Sequence, residues 1–494
     1  MDPRNAQPHV VIVGGGIAGL AAGFFLRDEP VRVTVLEGSP RLGGKLSVSE
    51  IAGVAVDEGA EALLVTRPEG TALIAEAGLA DQRVAPGTTS SAIWTRGAFR
   101  PLPRRQFMGV PSDLAELAGS GVLSEAGIAR AAQDLELPPT PRDGDVPVAR
   151  YVGARLGDEV VDRLVDPLLG GVYAGRSAEL SFEATMPALA AASRQHRSLA
   201  QAVQSLLPAR PSSAAGTGTG GSVFTTLTAG LGTLPAYLAK TSGAAVRTSA
   251  MVRALGPAGP GWRLTAGSAA EPEWVDADAV ILAVPAWPAG RLLAGVPGAS
   301  AAGAALGEFA YASMAIVTLA YPRSAFPAPG LAAQGRSGYL VPAVDGRAVK
   351  AVTFSTVKWP HLASELQAGA EPLEIVRCSV GRIGEEALLQ RAEDELAGLA
   401  AAELAEATGV RGSPAATRVT RWGGALPQYT VGHLERVAGI RAAVGAQPGL
   451  AVCGAAYDGV GIPACVATAR AAATQTMTFL AGQAQAMTRQ DGGQ

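Results

Sequence analysis

Four things are scarce in this chain: cysteine, histidine, aromatic residues and charge. Its 494 residues include three cysteines, Cys378, Cys453 and Cys465. Their odd number, wide spacing and lack of a CxxC exclude a disulfide framework and a structural zinc site, and reduced thiols in a cytoplasmic protein are expected. The four histidines, His9, His196, His361 and His433, fall at no metal-ligand or triad spacing, so neither a bound metal nor a side-chain nucleophile is expected. Charged residues make up 17% and the net charge is −3, with no basic stripe to neutralise phosphates, which argues against a nucleic-acid partner. A hydrophobic fraction of 48% excludes a disordered chain. The apolar, uncharged run 10–26 is interrupted by glycines. It is short of the roughly 20 residues a membrane span needs and lacks the basic flank and cleavage site of a signal peptide. No transmembrane segment is expected, while peripheral membrane contact stays open, as does the choice between monomer and homodimer.

What is present begins at that run. Residues 10–13 are apolar and β-branched, as in a buried parallel strand, and Gly14-Gly15-Gly16-Ile17-Ala18-Gly19 follows at once, opening a helical stretch. Gly14 allows the tight turn, Gly16 lets backbone approach a pyrophosphate, and Gly19 brings helix and strand close, with the helix N-terminus facing the anion. A second strand over 31–36 ends at Glu37, whose carboxylate suits ribose hydroxyls and disfavours a 2′-phosphate. Together these predict a dinucleotide-binding α/β domain. Gly38, Arg41, Gly43, Gly44 and Lys45 come next, and the paired glycines suggest a second backbone approach to the same cofactor. No second strand–GxGxxG–helix unit for a nicotinamide appears, so electrons are expected to leave to oxygen or another acceptor.

The double glycine resembles that of flavin-dependent amine oxidases and their relatives, which implies FAD. The same resemblance places Val252 against the adenine and brings the backbone of Val460, Gly461 and Ile462 to the flavin end. Cys465, inside an apolar helix, reads as a core thiol rather than a covalent flavin anchor. Residues 96–208 read as an inserted helical lobe, 208–222 as a polar linker, and 301–414 as a mostly antiparallel substrate-binding sheet. The FAD-binding domain then comprises 1–95, 209–300 and 415–485, with a segment of the substrate domain near the end of the first part. The fold class is α/β: a Rossmann-like FAD domain, a mixed-sheet substrate domain and the helical lobe.

A more specific resemblance runs in order over nearly the whole chain. The blocks DPLLGGVYAGRSAELS (166–181), HRSL (196–199), STVKWPH (355–361), RWGGALPQYTVGHLERV (421–437) and YDGVGIPAC (457–465) resemble those of the oxygen-dependent porphyrinogen oxidases of haem synthesis. That family implies oxidation of coproporphyrinogen III, or of protoporphyrinogen, by FAD and O2, with the flavin N5 performing the chemistry and no catalytic side chain. More distant readings on the same fold are an amine oxidase, a carotenoid desaturase or a flavin-fold escort protein.

One departure is the sequence Gly59-Ala60-Glu61-Ala62, where relatives carry GP and a polar residue; the resemblance implies that these four residues contact the flavin, Gly59 through its backbone. A propionate-bearing macrocycle needs apolar walls and cations at its rim. Arg100 within the basic run Arg96, Arg100, Arg104, Arg105 is the first expected carboxylate contact and Lys358 the second; Tyr173, Met314, Tyr339 and Phe354 are expected walls. Trp422 and the turn after it are expected near the isoalloxazine edge. Tyr429 and His433, four residues apart, are read as a hydrogen-bonded hook that fixes this turn rather than a catalytic pair.

Overall fold

The computed structural model describes residues 7–141, 144–208, 222–366 and 371–491. Most of the expected linker, 209–221, lies outside these. Five parallel strands form the first sheet, in the order Ala245–Arg247, Arg32–Leu36, His9–Val13, Ala279–Leu282 and Leu450–Val452. His9–Val13 is buried at every position because both faces of the sheet are covered. Val10, Ile12, Ala279 and Ile281 pack towards the helices Ile17–Phe25 and Ile462–Asp491. Val11, Val13, Val280 and Leu282 pack the other way, on an antiparallel meander of three strands and the helices Ala286–Ala294, Ser300–Gly307 and His433–Gly445. The alternation of one strand therefore decides both layers of the nucleotide domain.

A second sheet has seven strands: Ala416–Pro427, Tyr311–Pro322, Leu373–Val380, Val349–Phe354, Gly338–Leu340, Ala92–Thr95 and Ala98–Pro101. Its pairings are antiparallel except that of Gly338–Leu340 with Ala92–Thr95. One face is closed by Glu393–Thr408, against which Val317, Val352, Val376 and Cys378 pack. A helical lobe extends from Leu114 to Leu206, and its core includes Leu164, Phe182 and Leu189.

Two boundaries differ from expectation. Ala98–Pro101 is an edge strand of the seven-stranded sheet rather than the start of the lobe, and Ala416–Pro427 is that sheet's opposite edge rather than part of the nucleotide domain. Ala98–Pro101 is a four-residue segment with an Arg and a Pro, and Ala416–Pro427 carries two Arg and two Gly, so neither composition announces a strand. No described helix is long and apolar enough to cross a membrane.

Candidate flavin site and the cleft beside it

The glycine turn forms the expected cradle. Gly14 has φ +110°, and a Cβ on Gly19 would stand 1.9 Å from the Gly14 carbonyl, so strand and helix can pack this closely only without side chains. A Cβ on Gly16 would meet no atom within 4 Å: this position faces open space, as a phosphate approach requires. Gly16 is also the N-cap of Ile17–Phe25, with no side chain capping the helix and no acid in its first turn. The first N–H groups of the helix, which no intrahelical carbonyl can reach, thus present its positive end to that space.

Glu37 accepts from Gly15 N (2.6 Å) and Ser39 N (2.8 Å), which orients the carboxylate at the end of its strand. The second glycine pair lies against the first: Gly43 N donates to Gly15 O at 2.8 Å, and Gly43 and Gly44 both have positive φ. Arg41 Nη2 donates to Gly44 O at 2.7 Å and its guanidinium stands 5.5 Å from the Trp422 ring. Lys45 is exposed to solvent, yet desolvation by the protein around it lowers its ammonium pKa. Val252 is buried beside Met251, whose methyl group lies over Gly38. This is a phosphate and ribose cradle with a basic rim, and its residues fit a flavin dinucleotide.

At the other end, Trp422 Nε1 donates to Glu58 O (3.0 Å), and a Cβ on Gly59 would strike Lys45 O at 1.9 Å. Ala60 is exposed and Ala62 half-buried. The C-terminal turn leads through Val460 and the exposed Gly461 to Ile462, where the last helix begins. Cys465 belongs to the apolar core, and burial pushes its thiol up to about 12.

Tyr429 and His433 hold that turn from behind. Tyr429 Oη donates to Ala455 O at 2.6 Å and accepts from Gly459 N at 2.7 Å, while His433 Nε2 lies 2.9 Å from Tyr457 O. Their rings stack 3.8 Å apart. The two side chains make no hydrogen bond to each other; each bonds separately to the backbone of 455–459. Burial lowers the His433 pKa, so the ring is neutral and cannot serve as a cation here.

The departure at Glu61 has a structural partner. Its carboxylate takes Lys358 Nζ at 2.6 Å and Arg377 Nη1, and Arg377 Nη2 donates to Gly59 O at 2.7 Å. Burial opposes ionisation, but the charges of Lys358 and Arg377 outweigh it and hold Glu61 down to about 2. Glu61, expected among the cofactor contacts, is thus committed to two cations of the substrate domain. Lys358, expected to take a propionate, is already neutralised.

Strand register sorts the expected wall residues. Arg377 reaches Glu61, so its neighbours Cys378 and Val376 point the other way, under Glu393–Thr408. Tyr339 pairs with Val352, and Phe354 with Val376; both belong to that outer core, with Phe354 fully buried. They are therefore not cleft walls, a correction that follows from parity alone. Met314, opposite Trp422, does face the cleft side, together with Thr353, Ala351, Ser379 and Leu340, which residue type alone did not single out. Arg100 shares that face through its partner Ile93, but six strand spacings, roughly 29 Å, separate its strand from that of Trp422. Its guanidinium lies beside Gly121 of the lobe, and Arg96 is bound to Val122 O and Glu159.

Tyr173 ends the helix Asp166–Tyr173, 5.6 Å from the Tyr429 ring, and burial pushes its phenol up to about 12 against the pull of Arg67. Arg67 was missed by sequence reasoning. It precedes a helix in no motif, yet its Nη1 lies 3.7 Å from where a Cβ on Gly459 would stand, and its nearest acid, Glu69, is 3.6 Å away. A half-exposed cation thus stands between Tyr173 and the C-terminal turn.

A family model described as flavin containing amine oxidoreductase matches residues 17–477. The chain belongs to that family. This flavin oxidoreductase, with FAD as its cofactor, is 37% identical over 489 residues to a coproporphyrinogen III oxidase of Mycobacterium bovis, covering 98% of this chain and 99% of that one. It is 31% identical over 484 residues to the coproporphyrinogen III oxidase of Bacillus subtilis, covering 96% and 99%. A solved structure from Exiguobacterium sp. 255-15 is 30% identical with a TM-score of 0.80, covering 95% of this chain and 98% of that one.

Proposed function

We propose that this flavin oxidoreductase converts coproporphyrinogen III to coproporphyrin III in haem synthesis, removing six electrons in three two-electron steps with O2 as acceptor and three H2O2 formed. The observation that carries the reading is the near-full-length likeness, at 31–37% identity, to coproporphyrinogen III oxidases. Bound FAD would supply the hydride acceptor at N5 and the route to oxygen.

The chain's own residues supply position and environment. Gly14, Gly16, Gly44 and the N-terminus of Ile17–Phe25 would hold the pyrophosphate, Glu37 the ribose, and Val252 the adenine. Trp422, Gly59 and the 460–462 backbone would bound the isoalloxazine. Met314, Ala351, Thr353, Ser379 and Leu340 offer a mostly apolar wall for a flat macrocycle, which keeps water from the reacting carbon. Arg67, beside Tyr173, is the cation best placed for a propionate, because Lys358 is already paired with Glu61. No side-chain base is needed to start the reaction, since a pyrrole N–H can release the accompanying proton.

The deciding experiment supplies each reduced porphyrinogen to the flavin-loaded enzyme under air and follows porphyrin fluorescence. Faster turnover of coproporphyrinogen III is expected; equal or faster turnover of protoporphyrinogen would overturn the assignment. A cytoplasmic location, a monomer or homodimer, and contact with no more than a membrane surface complete the proposal.

A further inference from the structure

At a seam between the strands Val54–Asp57 and Phe224–Leu227 and the helices Ser355–Lys358 and Pro360–Leu366 lies a cavity of about 20 Å³, lined among others by Asp57, Glu61, Thr226, Ser355 and His361. This is room for one water, which needs about 10–15 Å³ and two to four polar partners. Two polar atoms on its wall residues lack any partner: Ser355 Oγ, in a fully buried residue, and the buried His361 Nδ1. Unpartnered buried groups are costly, and two beside one small polar cavity call for a water. Asp57, also on the wall, accepts Leu231 N at 3.0 Å and Gly232 N at 2.7 Å.

We propose that this cavity holds a resident water and that Asp57, bridged by it to Ser355 and His361, is the proton store of the site. The role rests on the porphyrinogen reading. In each two-electron step the substrate loses a hydride from carbon and a proton from a pyrrole N–H, and O2 takes up both to become H2O2. The proton is freed before oxygen consumes it, and a nearby group can hold it between the two events. Glu61, on the same wall, and its partner Lys358 connect the cavity with the cleft. Glu61 itself cannot hold the proton, because two cations fix it as a carboxylate.

The charged groups facing Asp57 agree with this division. Glu61 comes from its own loop and Arg377 from Leu373–Val380, with Lys358 behind Glu61; His361 faces it across the cavity, and 231–232 brings backbone N–H groups alone. Burial raises the Asp57 carboxyl to about 6, against the pull of Gly232 N, Arg377 and Leu231 N.

The test uses flavin-loaded protein without substrate, so it stands or falls independently of substrate identity. Infrared difference spectra across a pH titration should show a protonated-carboxyl C=O band that titrates near pH 6, vanishes in Asp57→Asn and shifts in Ser355→Ala. If Asp57→Asn does not fold, the Ser355→Ala shift alone decides. No band titrating between about pH 5 and 8, or a band unmoved by Ser355→Ala, would overturn the proposal. In turnover, Asp57→Asn should abolish an ionisation near pH 6 in the kcat profile and slow the reaction about tenfold at pH 6; an unchanged profile would equally overturn it.

Discussion

Two buried ionic clusters in this molecule are built from similar parts and finished differently. In the helical lobe, Asp134 and Arg155 are almost wholly buried and joined at 2.5 Å. Asp134 also accepts Ser198 Oγ, Leu199 N and Ala200 N, capping the start of Leu199–Leu206. Arg155 spends its remaining donors on Pro138 O, Thr140 Oγ1 and Asp134 O. At the seam, Glu61 joins Lys358 and Arg377, but Arg377 Nε, Ser355 Oγ and His361 Nδ1 are left without partners, and Asp57 is held part-way to protonation. The lobe cluster is closed and fixes a shape. The seam cluster is open, and open polar groups are available to water and to protons. A saturated network rigidifies, whereas an unsaturated one must be maintained by the rest of the fold.

The largest effect should come from Asp134→Ala, which strands Arg155 in an apolar lobe. A loss of about 3–5 kcal/mol is expected in denaturant unfolding, with KM unchanged in whatever folds. A loss below about 1 kcal/mol would mean the lobe cluster is not the structural member of the pair. Next comes Tyr429→Phe, which removes two buried hydrogen bonds from the 455–459 turn. At about 1–3 kcal/mol, flavin Kd should rise roughly 5- to 150-fold. A flavin-replete variant unable to reduce its flavin would instead give this tyrosine a chemical role.

The third prediction concerns sign. Glu61 is depressed to about 2 from 4.5, so its contribution is present above pH 4.5 and is lost as pH falls through 2. Asp57 is raised to about 6 from 3.8, so its effect runs oppositely: the folded state loses stability as pH climbs through that window. Melting temperature against pH should therefore show Glu61→Gln converging on wild type in acid, and Asp57→Asn gaining on it as pH rises from 3.8 to about 6 and keeping that gain above. Parallel curves would erase the contrast drawn above. The smallest effect is expected from Arg67→Ala: about a tenfold rise in KM for coproporphyrinogen at nearly constant kcat, limited by the solvent screening of a half-exposed cation. An unchanged KM would remove Arg67 from the propionate contact.

The nucleotide cradle was legible in the sequence because its demands are local. A turn with φ +110° at Gly14 and a 1.9 Å approach at Gly19 can be met only by glycine, so the requirement is written in the residues themselves. The cleft was less legible because facing is a matter of register. Tyr339 and Phe354 are of the right type for a wall, yet pairing with Val352 and Val376 turns them into the outer core. The missing signal was an anchor: once Trp422 is set beside Gly59, its partner Met314 and the alternation of neighbouring strands assign every face. Arg67 and Asp134 were invisible for another reason, since each gains its role from segments far away in sequence. Tyr429 and His433 were expected to hook the turn after Trp422; their hydrogen bonds go instead to the backbone of 455–459.

That brace couples parts of the chain that otherwise have separate histories. One hydroxyl both gives to Ala455 and takes from Gly459, and the stacked imidazole takes up Tyr457 between them. Loss of the tyrosine hydroxyl releases two backbone contacts of the 455–459 turn, and loss of the imidazole releases a third. Drift at 429, 433 and 455–459 is consequently constrained to concerted change. Among relatives, a loop of different length at 455–459 should never be found together with this tyrosine and histidine.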